Sequence, residues 1–380
     1  MLQLDIELGF ANGEEVIGLT ESVVRALWLN VLSARLPQPF IRMTYHEAMA
    51  HYGSDKPDLR LPIKPFASVR HLIPVNLVNM MTNIREPIIE AMVLPLDCSP
   101  DETRQLVSNY FNSVEGKEFQ ANPDGAPGIF VYDSSKPLQG LSAFGFDAVE
   151  NLDRVFDLDN GHLLLLQARA SLPFAGGSTK LGNLRKSIYH AAIDMGLAPA
   201  LSWTHFEPLW VTDFPLFSPA DTSEPGQGGN AGIASTHHPF TSPKTPDDVD
   251  LLLSDPTRSI GAHYDLVVNG EEIGGGSQRI HHSAMQEFVF RKILKMDETK
   301  CREFSHLIEA LRAGCPPHAG IALGFDRLVA MIASSKLERQ MSLRDVIAFP
   351  KTGKGDDPMV ESPGVLTDEA LRPYHLKLFK

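Results

Sequence analysis

The chain has 380 residues, enough for two domains with sizeable cores. With 43% hydrophobic and 21% charged residues it has an ordinary globular composition, and its formal net charge of −13 excludes a bulk electrostatic attraction to nucleic acid. Cys98, Cys301 and Cys315 show no CxxC spacing, which indicates a reducing compartment and no structural zinc. No apolar run approaches the ~18 residues of a membrane span, so we expect no membrane partner.

The N-terminal region alternates apolar and polar residues over 2–8, which predicts a strand with the acids Asp5 and Glu7 on its polar face. That face is normally solvent-exposed but could line a polar cavity. Together with Glu14, Glu15 and Glu21, these acids make the N-terminus unlike a signal or transit peptide. A helix capped by Thr20 and a shorter helix at Tyr45–Tyr52 are expected next.

The stretch from 66 to 203 mixes short apolar runs with Gly- and Pro-rich loops and closes with a helical segment, Thr179–Met195. We interpret it as a separate α+β insertion. Phe206–Phe217 is predicted to be a buried strand, followed by a glycine-rich loop, Ser218–Thr236, that is long enough to be functional.

His263–His282 is predicted to form a β-hairpin around Asn269–Gly270, because both central residues of a type I′ turn need a positive φ. A two-residue loop pairs Val267 with Glu272 and makes Asp265 and Glu272 diagonal neighbours, ~7–8 Å apart. Two carboxylates on one face repel each other unless a cation lies between them, and magnesium-bound phosphate is a natural candidate. The alternative is a hairpin with a solvated acidic face.

Three glycines, Gly274–Gly276, let the second strand bulge or approach a ligand closely. In an unbroken strand Arg279 has the wrong parity to share the face of Asp265 and Glu272. A bulge at the glycines is therefore needed to bring Arg279 to that face.

A second informative stretch is Pro316–Ile332, where a glycine-rich strand runs directly into a helix. Asp326 suits the first turn of that helix, but Arg327 does not, because the helix dipole disfavours a cation there. An anion or a π-system docked on Arg327 would explain it, and the helix N-terminus itself suits phosphate. The alternative is that Arg327 pairs with Asp326 or another acid at the surface.

A third stretch places His237 and His238 before Pro239, so the backbone is extended and only one of the two imidazoles faces a given pocket. A lone histidine in a loop is more often structural than catalytic. This loop, however, lies just ahead of the hairpin.

These stretches resemble a known family. The C-terminal part of a class II aminoacyl-tRNA synthetase is matched by Glu272, Gly274–Ser277, Arg279, Gly320 and Gly324–Arg327, the last resembling the third motif of that class. The stretches 52–60 (YGSDKPDLR), 237–244 (HHPFTSPK) and 344–351 (RDVIAFPK) resemble aspartyl-tRNA synthetases of the bacterial and mitochondrial type. The resemblance covers essentially the whole chain.

The resemblance implies roles for individual residues. Arg279 would hold the side-chain carboxylate of aspartate, a bidentate task suited to a guanidinium, and His237 would line the same site. Asp265 and Glu272 would bind Mg²⁺, and Asp5 would keep the basic groups in place. ATP would be bound by Glu272, Gly324, Phe325, Asp326 and Arg327, with Arg327 as the catalytic residue that stacks on adenine and reaches the terminal phosphate.

The implied fold is α+β: an antiparallel class II synthetase-like sheet flanked by helices, with an inserted smaller α+β domain. Residues 1–65 would form the first part of the catalytic domain, 66–203 the insertion, and 204–380 the second part with the third motif. The anticodon-binding domain and the first two class motifs would lie outside this sequence. We therefore expect an incomplete sheet and impaired activity.

The implied function is ATP-dependent activation of L-aspartate and its transfer to tRNA(Asp), by a homodimer in the complete family protein. A non-catalytic aspartate- or ATP-binding or regulatory protein derived from a synthetase is the alternative from a different class, and activation of asparagine or lysine is another. The resemblance implies a mitochondrial matrix location, with the cytoplasm as the alternative.

Overall fold

The computed structural model describes residues 2–220, 229–353, 355–364 and 366–377. The strands are β1 (Gln3–Gly9), β2 (Ile41–Thr44), β3 (Ala67–Ser68), β4 (Ile88–Leu94), β5 (Gly128–Val131), β6 (Leu163–Arg169), β7 (Pro208–Thr212), β8 (Phe217–Pro219), β9 (Ile233–Ser235), β10 (His263–Val268), β11 (Glu271–Gln278) and β12 (His318–Gly324). Residues 221–228 of the predicted glycine-rich loop lie outside the described residues.

The α-helices are α1 (Gly13–Leu32), α2 (Tyr45–Tyr52), α3 (Val75–Met81), α4 (Pro100–Asn112), α5 (Val114–Gln120), α6 (Phe146–Phe156), α7 (Lys180–Asp194), α8 (Pro246–Ser254), α9 (Ser283–Phe288), α10 (Glu298–Glu303), α11 (Ser305–Ala313), α12 (Phe325–Leu337), α13 (Leu343–Val346) and α14 (Asp368–Leu371). Helices at Tyr45–Tyr52 and within Thr179–Met195 are as predicted. None of the helices in the described ranges combines the length and the apolarity that crossing a membrane requires.

The main sheet has six strands in the order β1-β12-β11-β10-β7-β2, and every pair is antiparallel except β2 with β7. A second sheet, β3-β4-β6-β5, is wholly antiparallel and is built from the segment predicted as an insertion. Helices flank both sheets, so the predicted α+β fold class is confirmed.

One face of the main sheet is buried beneath α1 and α12, whose Trp28 and Leu328 pack with sheet residues such as Leu266 and Ile321. On the other face, α2 packs over β7 and β10, where Met49 contacts sheet residues. Over β11, β12 and β1 this second face carries glycines and polar residues. Among the residues that the structure describes, no helix packs on this part, here called the open face, and the candidate site lies on it.

Helix α1 begins earlier than predicted. Asn12 accepts hydrogen bonds from the backbone N–H groups of Glu14 (2.9 Å) and Glu15 (3.2 Å), and the Glu15 carboxylate accepts one from Asn12 N–H, which completes a capping box. Thr20 lies inside the helix, where its hydroxyl donates to the Val16 carbonyl. The expectation that Thr20 caps the helix was therefore wrong.

The strand predicted over 206–217 is interrupted. β7 ends at Thr212, and Asp213 adopts φ 61°, a left-handed conformation that turns the chain before β8 begins. The prediction was too long because a run of apolar residues does not show where the backbone turns.

The hairpin of β10 and β11 forms with the predicted pairing of Val267 with Glu272, and Asn269 and Gly270 both have positive φ. Its bulge lies at Ile273, not at the three glycines, because Leu266 pairs with Gly274. Because of the bulge, two consecutive residues, Ile273 and Gly274, both face the core. Ile273 is fully buried there, and Gly274 fits beside it because it has no side chain: a Cβ at Gly274 would lie 2.5 Å from the Leu323 side chain. The single extra residue brings Arg279 to the face of Asp265, the effect that the sequence required.

Candidate active site

Two carboxylates of the hairpin lie over the same glycine on the open face. A Cβ added at Gly275 would lie 2.6 Å from Oδ1 of Asp265 and 3.5 Å from Oε1 of Glu272. The Asp265 side chain is 2% exposed, and desolvation by burial raises its pKa above the usual range despite the cations nearby. The predicted diagonal pair of carboxylates is therefore brought together.

Two side-chain cations lie beside these carboxylates. Lys56 places Nζ 2.9 Å from Oδ2 of Asp55 and 3.6 Å from Oε2 of Glu272. Arg327 donates from Nη1 to the Glu272 carbonyl oxygen at 2.6 Å and lies 3.7 Å from Oε2 of the same residue. Glu272 is thus held between a lysine and an arginine from distant parts of the chain, which balances its charge.

A pair of stacked imidazoles covers Asp265. The rings of His237 and His263 are 3.5 Å apart and 10° from parallel. His263 Nε2 lies 2.8 Å from Oδ1 of Asp265, and His237 Nε2 lies 3.8 Å from Oδ2. Burial lowers the pKa of both imidazoles to about 3, so both are neutral near pH 7.

The cluster of His237, His263 and Asp265 has the residue types of a metal site. The lone pair of an imidazole nitrogen lies in the ring plane, so two parallel rings cannot direct both lone pairs at one ion. We interpret the pair instead as a clamp in which a neutral His263 donates to the Asp265 carboxylate. His238 diverges from His237 and stacks with Phe240, as the extended backbone predicts.

Arg279 lies on the open face at the end of β11. Its Nη1 donates to the Ser277 hydroxyl at 2.8 Å, and its Nε and Nη2 each lie 3.4 Å from a Glu7 carboxylate oxygen. Glu7, rather than the expected Asp5, is therefore its partner from β1. The Glu7 carboxylate lies over Gly320, and any side chain at position 320 would collide with it. The Arg279 side chain is 22% exposed, and these partners orient its guanidinium.

The strand-to-helix junction supplies the last group. Gly324 is the N-cap of α12 and makes no side-chain cap, and Phe325 is 49% exposed beside it. Asp326 is buried and accepts from the backbone N–H of Leu2 at 3.1 Å. Arg327 does not pair with Asp326; its side chain reaches Glu272 instead. The junction thus offers an open helix N-terminus with an exposed ring and a cation beside it.

The donor set fits a magnesium ion. Mg²⁺ prefers oxygen ligands and is held in proteins by one or two carboxylates together with phosphate oxygens. Asp265 and Glu272 supply carboxylate oxygens on either side of the space above Gly275, and no Cβ fills that space. Arg279, by contrast, presents a forked donor suited to a carboxylate.

Comparison with known proteins shows which family the chain belongs to. Residues 1–353 match the family described as tRNA synthetases class II (D, K and N). This chain belongs to the class II tRNA synthetases. The mitochondrial aspartate–tRNA ligase of Schizosaccharomyces pombe (strain 972 / ATCC 24843) is 34% identical to it over 382 residues, 99% of this chain and 58% of that relative. The chain thus spans less than two thirds of the length of this synthetase.

Three site residues were missed or undervalued by the sequence reasoning. Lys56 stands within the stretch YGSDKPDLR, which served only as a mark of resemblance, and Glu7 was recognised only as part of a polar strand face. His263 opens the hairpin and shares the parity of Asp265, so its place on the same face could have been predicted.

Proposed function

We propose that this class II synthetase chain carries the site at which ATP activates L-aspartate, as part of an aspartate–tRNA ligase. Arg279 carries the proposal: a guanidinium, oriented by Glu7 and Ser277, lies on the same open face as two carboxylates and Arg327. The proposed site for a carboxylate would thus share the open face with the proposed site for a metal-bound polyphosphate.

The aspartate half rests on Arg279. Two N–H groups of one guanidinium match the two oxygens of a carboxylate, which a lysine cannot reproduce. Glu7 lies 3.4 Å from two of the arginine nitrogens, longer than the ~2.7–2.9 Å of a charge-assisted hydrogen bond, so it orients the guanidinium and leaves the donors available to a substrate carboxylate. His237 would line the amino-acid site from its loop, as the resemblance implies.

The ATP half rests on the hairpin and the start of α12. Asp265 and Glu272 would hold magnesium, which would neutralise part of the phosphate charge when bound. Gly324, Phe325 and Asp326 would border the nucleotide, and Arg327 would stack on adenine and reach the terminal phosphate. Arg327 is 38% exposed, so a ligand can contact it.

These residues act by position and charge. The α-carboxylate of aspartate would attack the α-phosphorus of ATP, forming one phosphorus–oxygen bond as the bond to pyrophosphate breaks. The aspartyl group would then pass from the adenylate to a hydroxyl at the 3′ end of tRNA(Asp), as the carboxyl–phosphate bond breaks and AMP leaves. Groups held ready for developing charge account for most of the acceleration in such a reaction.

The same proposal covers the domain organisation, the location and the oligomeric state of the protein. Residues 1–65 and 204–380 would form the catalytic domain around an inserted domain at 66–203, consistent with the separate second sheet. The named relative from Schizosaccharomyces pombe is mitochondrial, which supports the matrix as the location. A homodimer is expected, as in the resembling family.

The test is aspartate-dependent exchange of pyrophosphate into ATP, with calorimetry of L-aspartate and ATP binding on the same protein. Arg279→Ala should lower exchange and aspartate affinity by about 100-fold or more, because the oriented donors are lost. Arg42→Ala is the matched control, since Arg42 pairs with Glu14 at an exposed position on β2. Equal effects of both substitutions would refute the assignment of Arg279.

The alternatives give different results in the same experiments. Binding of aspartate or ATP without any exchange would identify a non-catalytic binding protein. Exchange driven by asparagine or lysine in place of aspartate would identify a different amino-acid specificity.

Glu7→Gln should weaken aspartate binding by about tenfold, because Arg279 loses its orienting charge.

A further inference from the structure

Lys56 lies at a position that a metal-bound phosphate would contest. It follows α2 in the chain, and its ammonium lies 2.9 Å from Asp55 and 3.6 Å from Glu272. The ammonium is thus within ion-pair distance of two carboxylates from different parts of the chain. The carboxylate pair thus has a cation of its own.

The two partners of Lys56 differ in kind. Asp55 is buried, bonded to the ammonium at 2.9 Å and opposite Gly177, where a Cβ would lie 3.3 Å from both of its carboxylate oxygens. Glu272 is 28% exposed, more distant from Nζ, and shared with Arg327. Lys56 therefore has a close anchor and a looser second contact that a competing cation can replace.

We propose that Lys56 is a built-in counter-ion for Glu272 that moves from this carboxylate to the phosphates of ATP when a divalent cation arrives. The inference rests on the proposed ATP and magnesium site. Asp55 keeps the ammonium in place during the exchange. A divalent cation alone is repelled by Lys56, whereas one that arrives with a polyphosphate brings the anion that Lys56 needs.

This arrangement couples metal to nucleotide. Each ligand strengthens the binding of the other by the same factor, because such coupling is reciprocal. Removing the positive charge of Lys56 should therefore have opposite effects on the two ligands: tighter binding of the bare metal and weaker binding of ATP. General damage to the site would weaken both.

The experiment is titration of Mn²⁺, followed by electron paramagnetic resonance, with and without a non-hydrolysable ATP analogue. Lys56→Gln should bind Mn²⁺ alone about tenfold more tightly, as expected when a unit charge within ~4 Å is removed, and should bind the analogue more weakly. Lys56→Arg keeps the charge and should resemble the parent. Lys64→Gln is the matched control, since the half-exposed Lys64 pairs with the exposed Asp157 away from the hairpin.

The experiment distinguishes a wrong role for Lys56 from a wrong ATP and magnesium site. Unchanged or weaker Mn²⁺ binding by Lys56→Gln, with binding still abolished by Glu272→Gln, would refute the role of Lys56 and leave the metal site intact. If the parent protein binds no Mn²⁺ even with the analogue, or if Glu272→Gln binds it equally well, the proposed ATP and magnesium site itself is wrong.

Discussion

Replacing Gly275 by alanine tests whether the space between the two hairpin carboxylates is the centre of the site. The added methyl group would lie 2.6 Å from Oδ1 of Asp265 and 3.5 Å from Oε1 of Glu272. Ordinary contact starts near 3.4 Å, so the Asp265 carboxylate must shift by most of an ångström, although His263 Nε2 holds this same oxygen, Oδ1, at 2.8 Å.

Mg²⁺ demands oxygens at ~2.0–2.1 Å in near-octahedral order, so a displacement of this size is large for the metal. We expect Mn²⁺ affinity to fall by about 10- to 100-fold, the loss seen when the support of a metal ligand is disturbed. The fold itself should lose about 1–3 kcal/mol from overpacking. Mn²⁺ titration gives the first quantity and urea denaturation without metal gives the second.

Gly18→Ala is the matched control, because nothing lies within 4 Å of a Cβ there and the residue is on the exposed side of α1. It should leave metal affinity unchanged and stabilise the helix by about 1 kcal/mol. Parent-like Mn²⁺ affinity in Gly275→Ala would refute the placement of the metal between Asp265 and Glu272.

Three further predictions concern stability and solubility. Glu21→Ala should cost about 3 kcal/mol in urea denaturation, because the buried indole N–H of Trp210 loses its acceptor at 3.1 Å; a loss under 1 kcal/mol would contradict this. Burial lowers the pKa of His162, whose Nδ1 accepts from the Asp159 N–H, so the unfolded chain binds the proton more readily and stability falls as the pH drops below about 6.5. His162→Asn should lose less free energy of unfolding than the parent between pH 7.5 and 5.5. An unchanged dependence of stability on pH would contradict this role of His162. Leu4→Lys, on the half-exposed edge strand β1, should reduce aggregation measured by light scattering, and equal scattering would count against an exposed edge.

Local signals predicted local structure well. The hairpin was predictable because Asn269 and Gly270 readily adopt the positive φ that a type I′ turn requires. Helix α2 was predictable as a short helix over Tyr45–Tyr52, and Gly53 ends it with a positive φ. The start of α1 was also encoded, as the Asn12…Glu15 capping box, but the apolar spacing drew attention to Thr20.

Long-range features could not be read from spacing. Lys56 and Glu272 are more than 200 residues apart in the chain, and their contact depends on the path taken after α2. The bulge at Ile273 was displaced from the glycines because the core accepts an isoleucine on the buried face. Even the partner of Arg279 depended on which acid of β1 lies opposite Gly320.

The pairing of β1 with β12 also constrains how the protein folds. Residues 3–9 have their strand partners at 318–324, so β1 must wait until residue 324 has been synthesised before it can pair. Closing so long a loop lowers the folding rate far more than it lowers the final stability. Glu7 can orient Arg279 only after that step. Aspartate binding would therefore appear late during refolding, after the second sheet and α2 have formed from contacts nearer in the chain.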